Sequence, residues 1–429
     1  MRILIVGASG LIGSSVGARL VGEGHEVIGT TRHSPEVGLS VSRWLRVDLT
    51  RAISPADWQR HLQGVEAVIN CAGVLQDGPG QSTTRVHADG AAALFRGCEA
   101  AGVRKVIHLS AIGVDRATPT EFSRSKLVGD RVLMERELDW VILRPAVVIG
   151  RAAYGGSALI RGLASWAVLP VMPNTAPLQP VHLDDLVETI AFFLQPGAPA
   201  RCLLEIVGPE RGRFDEWVAL FRRWMRWPQA RTLHVPNRLA WLLYGLGDAA
   251  AWLGWRPPIR TTAQREMVRG AVGDPAPWMN LTGVKPRSLS EMLVKEPASV
   301  QERWFARLYL LKALVFGMLA VFWIATGVVS LGPGWERGVQ LVTEGGVSET
   351  LAKLAVFSGG LADVVIGMMI AVRPAARLGL YAAFLISIAY AIIGAILVPW
   401  MWLDPLGPML KIGPIMVLNL VALAILEDR

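Results

Sequence analysis

Three glycines spaced three apart, in Gly7-Ala-Ser9-Gly10-Leu11-Ile12-Gly13, could hold an anion without any side-chain charge. The first permits a tight turn, the second lets the backbone approach phosphate oxygens, and the third lets a helix pack closely on a strand. Main-chain N–H groups at the start of that helix then face the ligand with a partial positive charge. Such a cradle needs a strand before it and a helix after it, and both are written around this one. Ile3 to Val6 is a short apolar run that reads as a buried strand, and Val16, Leu20 and Val21 recur at helical spacing until Gly22 and Gly24. A diphosphate-bearing nucleotide is therefore the expected ligand, held by Gly7, Ser9, Gly10, Leu11, Ile12 and Gly13. An ordinary glycine-rich turn is the competing interpretation, and the flanking strand and helix weigh against it.

The elements that follow would carry the rest of such a site. A second strand, His25 to Arg32, ends in Thr30-Thr31-Arg32, where a carboxylate usually selects NAD. A guanidinium there suits a 2′-phosphate, so NADP(H) is favoured over NAD(H); a solvated strand-end charge is the alternative. Asp48 and Leu49 fall where an adenine ring is expected. Val65 to Asn70 is a further buried strand leading into Cys71-Ala72-Gly73, whose small residues would let the chain pass close to a nicotinamide. Ala91 to Gly102 reads as a helix, and Val103 to Leu109 as a strand ending at Ser110. Alternating strands and helices imply a parallel sheet with right-handed crossovers, and ligands bind at the carboxyl ends of such strands.

Composition divides the chain of 429 residues. Hydrophobic residues reach 52% and charged residues only 18%, and the apolar excess lies after Arg307. The net charge of +8 comes with no basic run of five or more, so no nucleic-acid partner is expected. Cys71, Cys98 and Cys202 lack metal-ligand or redox spacing; neither a disulfide framework nor a metal site is expected, and a reducing compartment fits. Glycines interrupt the first apolar segment, so it does not read as a signal peptide.

Over residues 1 to 295 the chain resembles an atypical or extended short-chain dehydrogenase/reductase. The resemblance rests on the glycine motif at 7–13, Thr-Thr-Arg at 30–32, Asp48-Leu49, Cys-Ala-Gly at 71–73 and His-Leu-Ser-Ala at 108–111. Leu143-Arg-Pro145, Pro180-Val-His-Leu-Asp-Asp185 and Val207-Gly-Pro209 continue it. It implies a doubly wound parallel Rossmann sheet with a small substrate lobe drawn largely from 150–295. It also implies catalysis by a Ser or Thr, a Tyr, and a Lys four residues beyond the Tyr. Ser110 and Lys126 match the first and last, but the tyrosine position is Phe122, which has no proton to exchange. His87 stands where the family usually has asparagine. Two readings stay open. Either another group (Ser123, Ser125, Tyr154, His87 or Lys126 itself) moves the proton, or the site binds a dinucleotide without turnover, as the resemblance to the nucleotide-binding accessory subunit of respiratory complex I implies. A misaligned helix is the third reading, but no other Tyr-x-x-x-Lys occurs in the chain. Tyr154 to Ser157 and the apolar stretch Leu159 to Leu169 would line a cavity for a hydrophobic substrate, or else form a plain core helix. His182, beside Asp184 and Asp185, reads first as a structural hydrogen bond.

Between the halves, Phe214 to Trp227 interleaves Trp217, Trp224 and Trp227 with Arg222, Arg223 and Arg226. In Leu239 to Trp255 the aromatics Trp241, Tyr244, Trp252 and Trp255 are spaced to share one helical face. With Arg238 and Arg256 flanking, that helix suits either a lipid headgroup layer or the small lobe's core. A linker over 296–307 then leads into a domain over 308–429. Its apolar runs are about Leu308–Leu331, Leu354–Val372, Leu378–Trp400 and Met409–Leu426, set against the ~20 residues a bilayer requires. This half resembles the DoxX-like family, which implies an all-α four-helix transmembrane domain. Arg303, Arg307 and Lys312 flank the first run and Arg373 and Arg377 the second loop, which places the Rossmann domain on the cytoplasmic face of a bacterial inner membrane. The expected partners are the bilayer, a hydrophobic small molecule or quinone, and a membrane complex. Asp363, mid-span, is either a functional group or a polar contact with Ser387 or Asn419.

Overall fold

The structure is a computed structural model describing residues 1–32 and 40–426. It divides into two compact units: Met1–Asp248 with Pro257–Ala306, and Ala249–Arg256 with Arg307–Arg429.

The first unit is built on seven parallel strands: β1 (Arg2–Val6), β2 (Glu26–Thr31), β3 (Arg43–Arg46), β4 (Ala67–Asn70), β5 (Lys105–Leu109), β6 (Asp139–Pro145) and β7 (Cys202–Ile206). Their order across the sheet is β7-β6-β5-β4-β1-β2-β3. β1 lies at the reversal of that order, with Ile3 opposite both Val27 and Ala67. Its side chains alternate between two cores. Ile3 and Ile5 join Val16 and Leu20 of helix α1 (Leu11–Gly22) on one face. Leu4 and Val6 join Leu94 and Phe95 of helix α2 (Gly90–Ala100) on the other. A strand wanted by both layers must be apolar throughout, which is why Ile3 to Val6 shows no polar alternation. The fold is the doubly wound Rossmann sheet expected, and its nucleotide-binding crevice lies at the reversal.

Helix α3 (Glu121–Met134) starts at Thr120, whose hydroxyl forms a capping box with Ser123. The Arg/Trp helix Phe214–Trp224 is a core element. Trp217 and Phe221 are buried, and Arg222 is spent on the carbonyls of Ala164, Trp166 and Pro228. Helix α4 (Asn237–Trp252) breaks the expected aromatic stripe. Tyr244 is 7% exposed and packs with Val235 and Ala240, whereas Trp241 is 73% and Trp252 85% exposed.

Among the described residues three helices are long and apolar enough to cross a membrane: α5 (Val300–Leu331), α6 (Glu349–Ala371) and α7 (Ala376–Leu397). The fourth expected span is instead α8 (Ile412–Ile425), 14 residues long. At 1.5 Å per residue it covers about 21 Å, short of a hydrocarbon core of about 30 Å. The reason lies before it: Met409 to Lys411 stay in turns rather than joining the helix. Between α5 and α6, Trp335–Glu344 is also helical.

Small residues let these helices approach. A Cβ on Gly327 would lie 2.4 Å from the Gly360 carbonyl oxygen, and one on Gly367 2.8 Å from that of Ala320. Asp363 is buried, but its partner is the Tyr390 hydroxyl, which donates to the carboxylate at 2.9 Å. Ser387 and Asn419 turn back onto their own helices, to Ala383 and Ile415. Gly359 makes room for the tyrosine, because a Cβ there would come within 3.1 Å of its hydroxyl.

Candidate active site at the carboxyl edge of the sheet

The chain leaves β1 through Gly7, whose φ of +80° only glycine adopts readily. A Cβ there would also meet the Ala72 backbone at 2.9 Å, so the turn after β1 and the exit from β4 run against each other. The Gly7 N–H donates to the Thr30 hydroxyl at 3.1 Å, which ties the end of β2 to the same turn. At Gly13 a Cβ would lie 2.3 Å from the Gly7 carbonyl oxygen and 2.8 Å from the Ala8 Cα. Helix α1 can sit this close only because residue 13 has no side chain. Gly10 caps α1 with no side-chain hydrogen bond, so its first-turn N–H groups are left for an external acceptor. Leu11 and Ile12 pack their side chains against the core, and Ser9 is half-buried beside them.

The remaining cofactor candidates fall at neighbouring strand ends. Arg32 follows β2 and is half-buried. The Asp48 carboxylate accepts the Thr50 N–H at 3.0 Å and its hydroxyl at 2.8 Å, closing a local turn, while Leu49 is a core residue. After β4, the Ala72 N–H donates to Asn70 Oδ1 at 3.2 Å. At Gly73 a Cβ would stand 3.6 Å from both Lys126 Nζ and His87 Nε2, so these two groups converge on that glycine.

Lys126 is 4% exposed. Its ammonium donates to the Leu109 carbonyl at 2.7 Å and the Ala72 carbonyl at 3.3 Å, bridging the ends of β5 and β4. Burial pushes it down to about 8, against the pull of the Asp130 carboxylate. An ammonium has three donors, so one remains for a ribose hydroxyl or a substrate oxygen. One turn earlier, Phe122 stands edge-on to the His87 ring, with centroids 5.5 Å apart.

His87 lies in a π-helical turn, Arg85–Asp89, and both its nitrogens are engaged. Its Nε2 accepts the Val74 N–H at 3.0 Å, which puts the proton on Nδ1, 3.0 Å from Ser125 Oγ. Ser125 in turn donates to the Phe122 carbonyl at 3.1 Å. Burial first, then Lys126 and His108, hold the imidazole well below its ordinary pKa. His87 and Ser125 are thus neutral scaffolding around Lys126. Ser123 is spent on the Thr120 cap and on Glu266, and Tyr154 stands 42% exposed before the helix Gly155–Ala164. In that helix Ile160, Leu163 and Ala164 face the interior, while Trp166 beyond it is 47% exposed. His182 Nδ1 accepts the Asp184 N–H, a helix cap.

Ser110 is buried and held by a carboxylate. Its hydroxyl donates to Asp130 Oδ2 at 2.9 Å, and the same oxygen accepts Nε and Nη2 of Arg144 at 3.0 Å each. Both Asp130 and Arg144 are buried; Arg144 also meets Asp115 at 2.8 Å. Sequence reasoning missed this pair, although Asp130 lies four residues beyond Lys126, one turn along the same helix face. Asn70 Nδ2 donates to His108 Nδ1 at 3.2 Å, which leaves the His108 proton on Nε2, 3.5 Å from Asp130 Oδ1. Asp130→Asn is expected to destabilise the full-length protein by about 3 kcal/mol, because the buried Arg144 guanidinium loses its buried carboxylate and keeps only the half-exposed Asp115. Thermal melting in detergent reads this, and an unchanged melting temperature would show that the pair contributes little. Among the described residues no group of His, Cys, Asp and Glu is arranged to hold a metal.

Residues 7–161 match the NAD(P)H-binding family model, and residues 320–420 match the DoxX-like family. The chain joins an NAD(P)-binding Rossmann domain to a DoxX-like domain. An uncharacterized protein of Mycobacterium tuberculosis is 28% identical over 185 residues, 43% of this chain and 19% of that protein; the match spans about a fifth of that relative. The ceramide reductase of Caulobacter vibrioides is 23% identical over 220 residues, 51% of this chain and 68% of that one. The Bordetella bronchiseptica enzyme WbmG, solved in complex with NAD, shares the fold at 16% identity. Its TM-score is 0.55, covering 72% of this chain and 96% of that one. The NAD(P)-binding domain and the geometry agree. The close backbone packing at Gly7 and Gly13 sets the turn, and the uncapped start of α1 leaves main-chain N–H groups that suit a dinucleotide's diphosphate.

Proposed function

We propose that this protein is a membrane-anchored NAD(P)H-dependent reductase of a hydrophobic carbonyl compound or quinone, with Lys126 supplying the proton. The reading rests chiefly on one observation: a buried ammonium bridges the ends of β4 and β5 beside Gly73, where the tyrosine position is an inert phenyl ring. When bound, reduced dinucleotide supplies a hydride. Main-chain amides of Gly10 to Gly13 hold its diphosphate, and Lys126 Nζ donates to the ribose or to the developing alkoxide. The proton lost from Nζ returns from solvent. Arg32 after β2 favours NADP(H) over NAD(H). The three long apolar helices and the kinship with a ceramide reductase support a lipid-soluble substrate. Arg303, Arg307, Lys312, Arg373 and Arg377 favour a bacterial inner membrane with the Rossmann domain on the cytoplasmic side.

The test uses full-length protein in lipid nanodiscs, with NADPH and a series of quinones and long-chain ketones, followed by NADPH absorbance. Consumption is expected, falling at least about a hundredfold in Lys126→Ala. A lysine with its pKa at about 8 is protonated below that value and neutral above it. The reductive rate should therefore be level at lower pH and fall about tenfold per unit above pH 8. A second reading is favoured by Phe122 itself: a silent NADP(H)-binding scaffold or redox sensor that reports to a membrane complex. Tight NADPH binding with no consumption of any acceptor would support it and overturn the first.

A further inference from the structure

The exposed face of α4 is the wrong kind for a helix in water. Gly245, Leu246, Ala249 and Trp252 are exposed, as are Trp241, Leu242 and, just beyond the helix, Leu253. On a helical projection these positions fall on one side, opposite buried Ala240, Tyr244, Gly247 and Ala251. The one charged residue between Arg238 and Arg256 is Asp248, at the edge of this side, and its carboxylate is held by Arg260 Nε at 2.9 Å. Soluble helices put polar residues there.

A separate observation fixes where the helix ends. Ala249–Arg256 belongs to the helical unit, and within it the Trp255 indole N–H donates to the Ala371 carbonyl at 2.7 Å. Ala371 is the last residue of α6, one of the three candidate spans. The Arg373 N–H donates back to the Leu253 carbonyl at 2.8 Å, and the Trp255 ring packs on Phe316 of α5 with centroids 4.8 Å apart. The chain just after α4 is therefore fastened where a spanning helix leaves the hydrocarbon. Arg256 and Arg373 lie in these connecting segments, and Arg377 in the first turn of α7. Guanidinium groups beside exposed tryptophan, at the depth where a span ends, match the headgroup layer of an anionic membrane.

We propose that the exposed side of α4 lies in the headgroup–acyl boundary of an anionic bilayer, as an in-plane anchor additional to the spanning helices. Trp241, Leu242, Leu246 and Trp252 enter the boundary, and Arg238 and Arg256 reach phosphate groups at either end. The anchor is independent of whether the Rossmann site turns over.

The test is photolabelling of the unmutated full-length protein in vesicles of phosphatidylethanolamine and phosphatidylglycerol, with a phospholipid carrying a carbene precursor near its headgroup. Mass spectrometry should find adducts between Trp241 and Leu253 at least about tenfold above those at Pro55–Gln59, an exposed helix of the Rossmann unit. Nitroxides at Trp241→Cys, Leu246→Cys and Trp252→Cys should collide with oxygen more than with a water-soluble nickel chelate. Labelling no higher than at Pro55–Gln59 would overturn the proposal. So would nitroxides that collide freely with the chelate, which places the face in water. Protection from both collision reagents would do the same, because a second copy or another protein would then cover the face.

Discussion

A Gly13→Ala chain is expected to lose NAD(P)H affinity by at least about a hundredfold, equivalent to about 2.7 kcal/mol. The added Cβ would sit 2.3 Å from the Gly7 carbonyl oxygen and 2.8 Å from the Ala8 Cα, and both are backbone atoms. No rotamer change relieves such a contact. Either α1 withdraws from β1 or the turn at Gly7 opens, and each movement takes amides away from the diphosphate. The turn has little slack, since a Cβ on Gly7 would itself meet the Ala72 backbone at 2.9 Å. Gly22→Ala is the matched control. Nothing lies within 4 Å of its Cβ, and it closes the same helix, so it should bind as the unmutated chain does. Calorimetric titration with NADPH decides. Full affinity in Gly13→Ala would mean that the nucleotide is not held by this turn.

That glycine is also the clearest case of what residue order alone can carry. Gly7, Gly10 and Gly13 announce a backbone approach because only glycine solves it, and the apolar run of Ile3 to Val6 announces a strand covered on both faces. The parallel sheet follows from such local signals. The site's polar wiring does not. Ser110 meets Asp130 twenty residues away and Asn70 meets His108 thirty-eight away, through strand register and helix rotation that no local pattern encodes. Ser110 therefore read as a catalytic candidate or a strand-end cap, with no sign of the buried carboxylate that its hydroxyl meets. Helix α4 fails in the opposite sense. Its spacing of aromatics is real, but spacing defines a stripe only to within the arc a helix face covers. Tyr244 falls just inside the buried edge and Trp241 just outside it. α8 is short for yet another reason: hydropathy records apolar residues whether or not the backbone coils through them. Met409 and Leu410 are such residues, held in turns with Lys411.

Phe122→Tyr is expected to raise the reductive turnover by about a hundredfold, the lower end of what a positioned general acid contributes. The half-buried ring at this position is already oriented, edge-on to His87 at 5.5 Å, so tyrosine adds a hydroxyl to a ring held in place. Lys126 follows one helical turn later on the same face, and its ammonium would stabilise the phenolate left after proton donation. The ammonium itself is held by the carbonyls of Leu109 and Ala72, so the variant should keep its NADPH affinity while kcat rises. Phe122→Leu separates chemistry from packing: it removes the ring without adding a proton donor and should show no gain. If Phe122→Tyr binds NADPH as tightly as the unmutated chain and turns over no faster, the missing phenol is not what limits this site. Proton delivery by Lys126 would then already be sufficient, or hydride transfer would be slow for want of the right acceptor. The pH profile tells these apart. A rate that still falls above about 8 assigns the proton to Lys126, and a flat profile leaves the acceptor as the limiting partner.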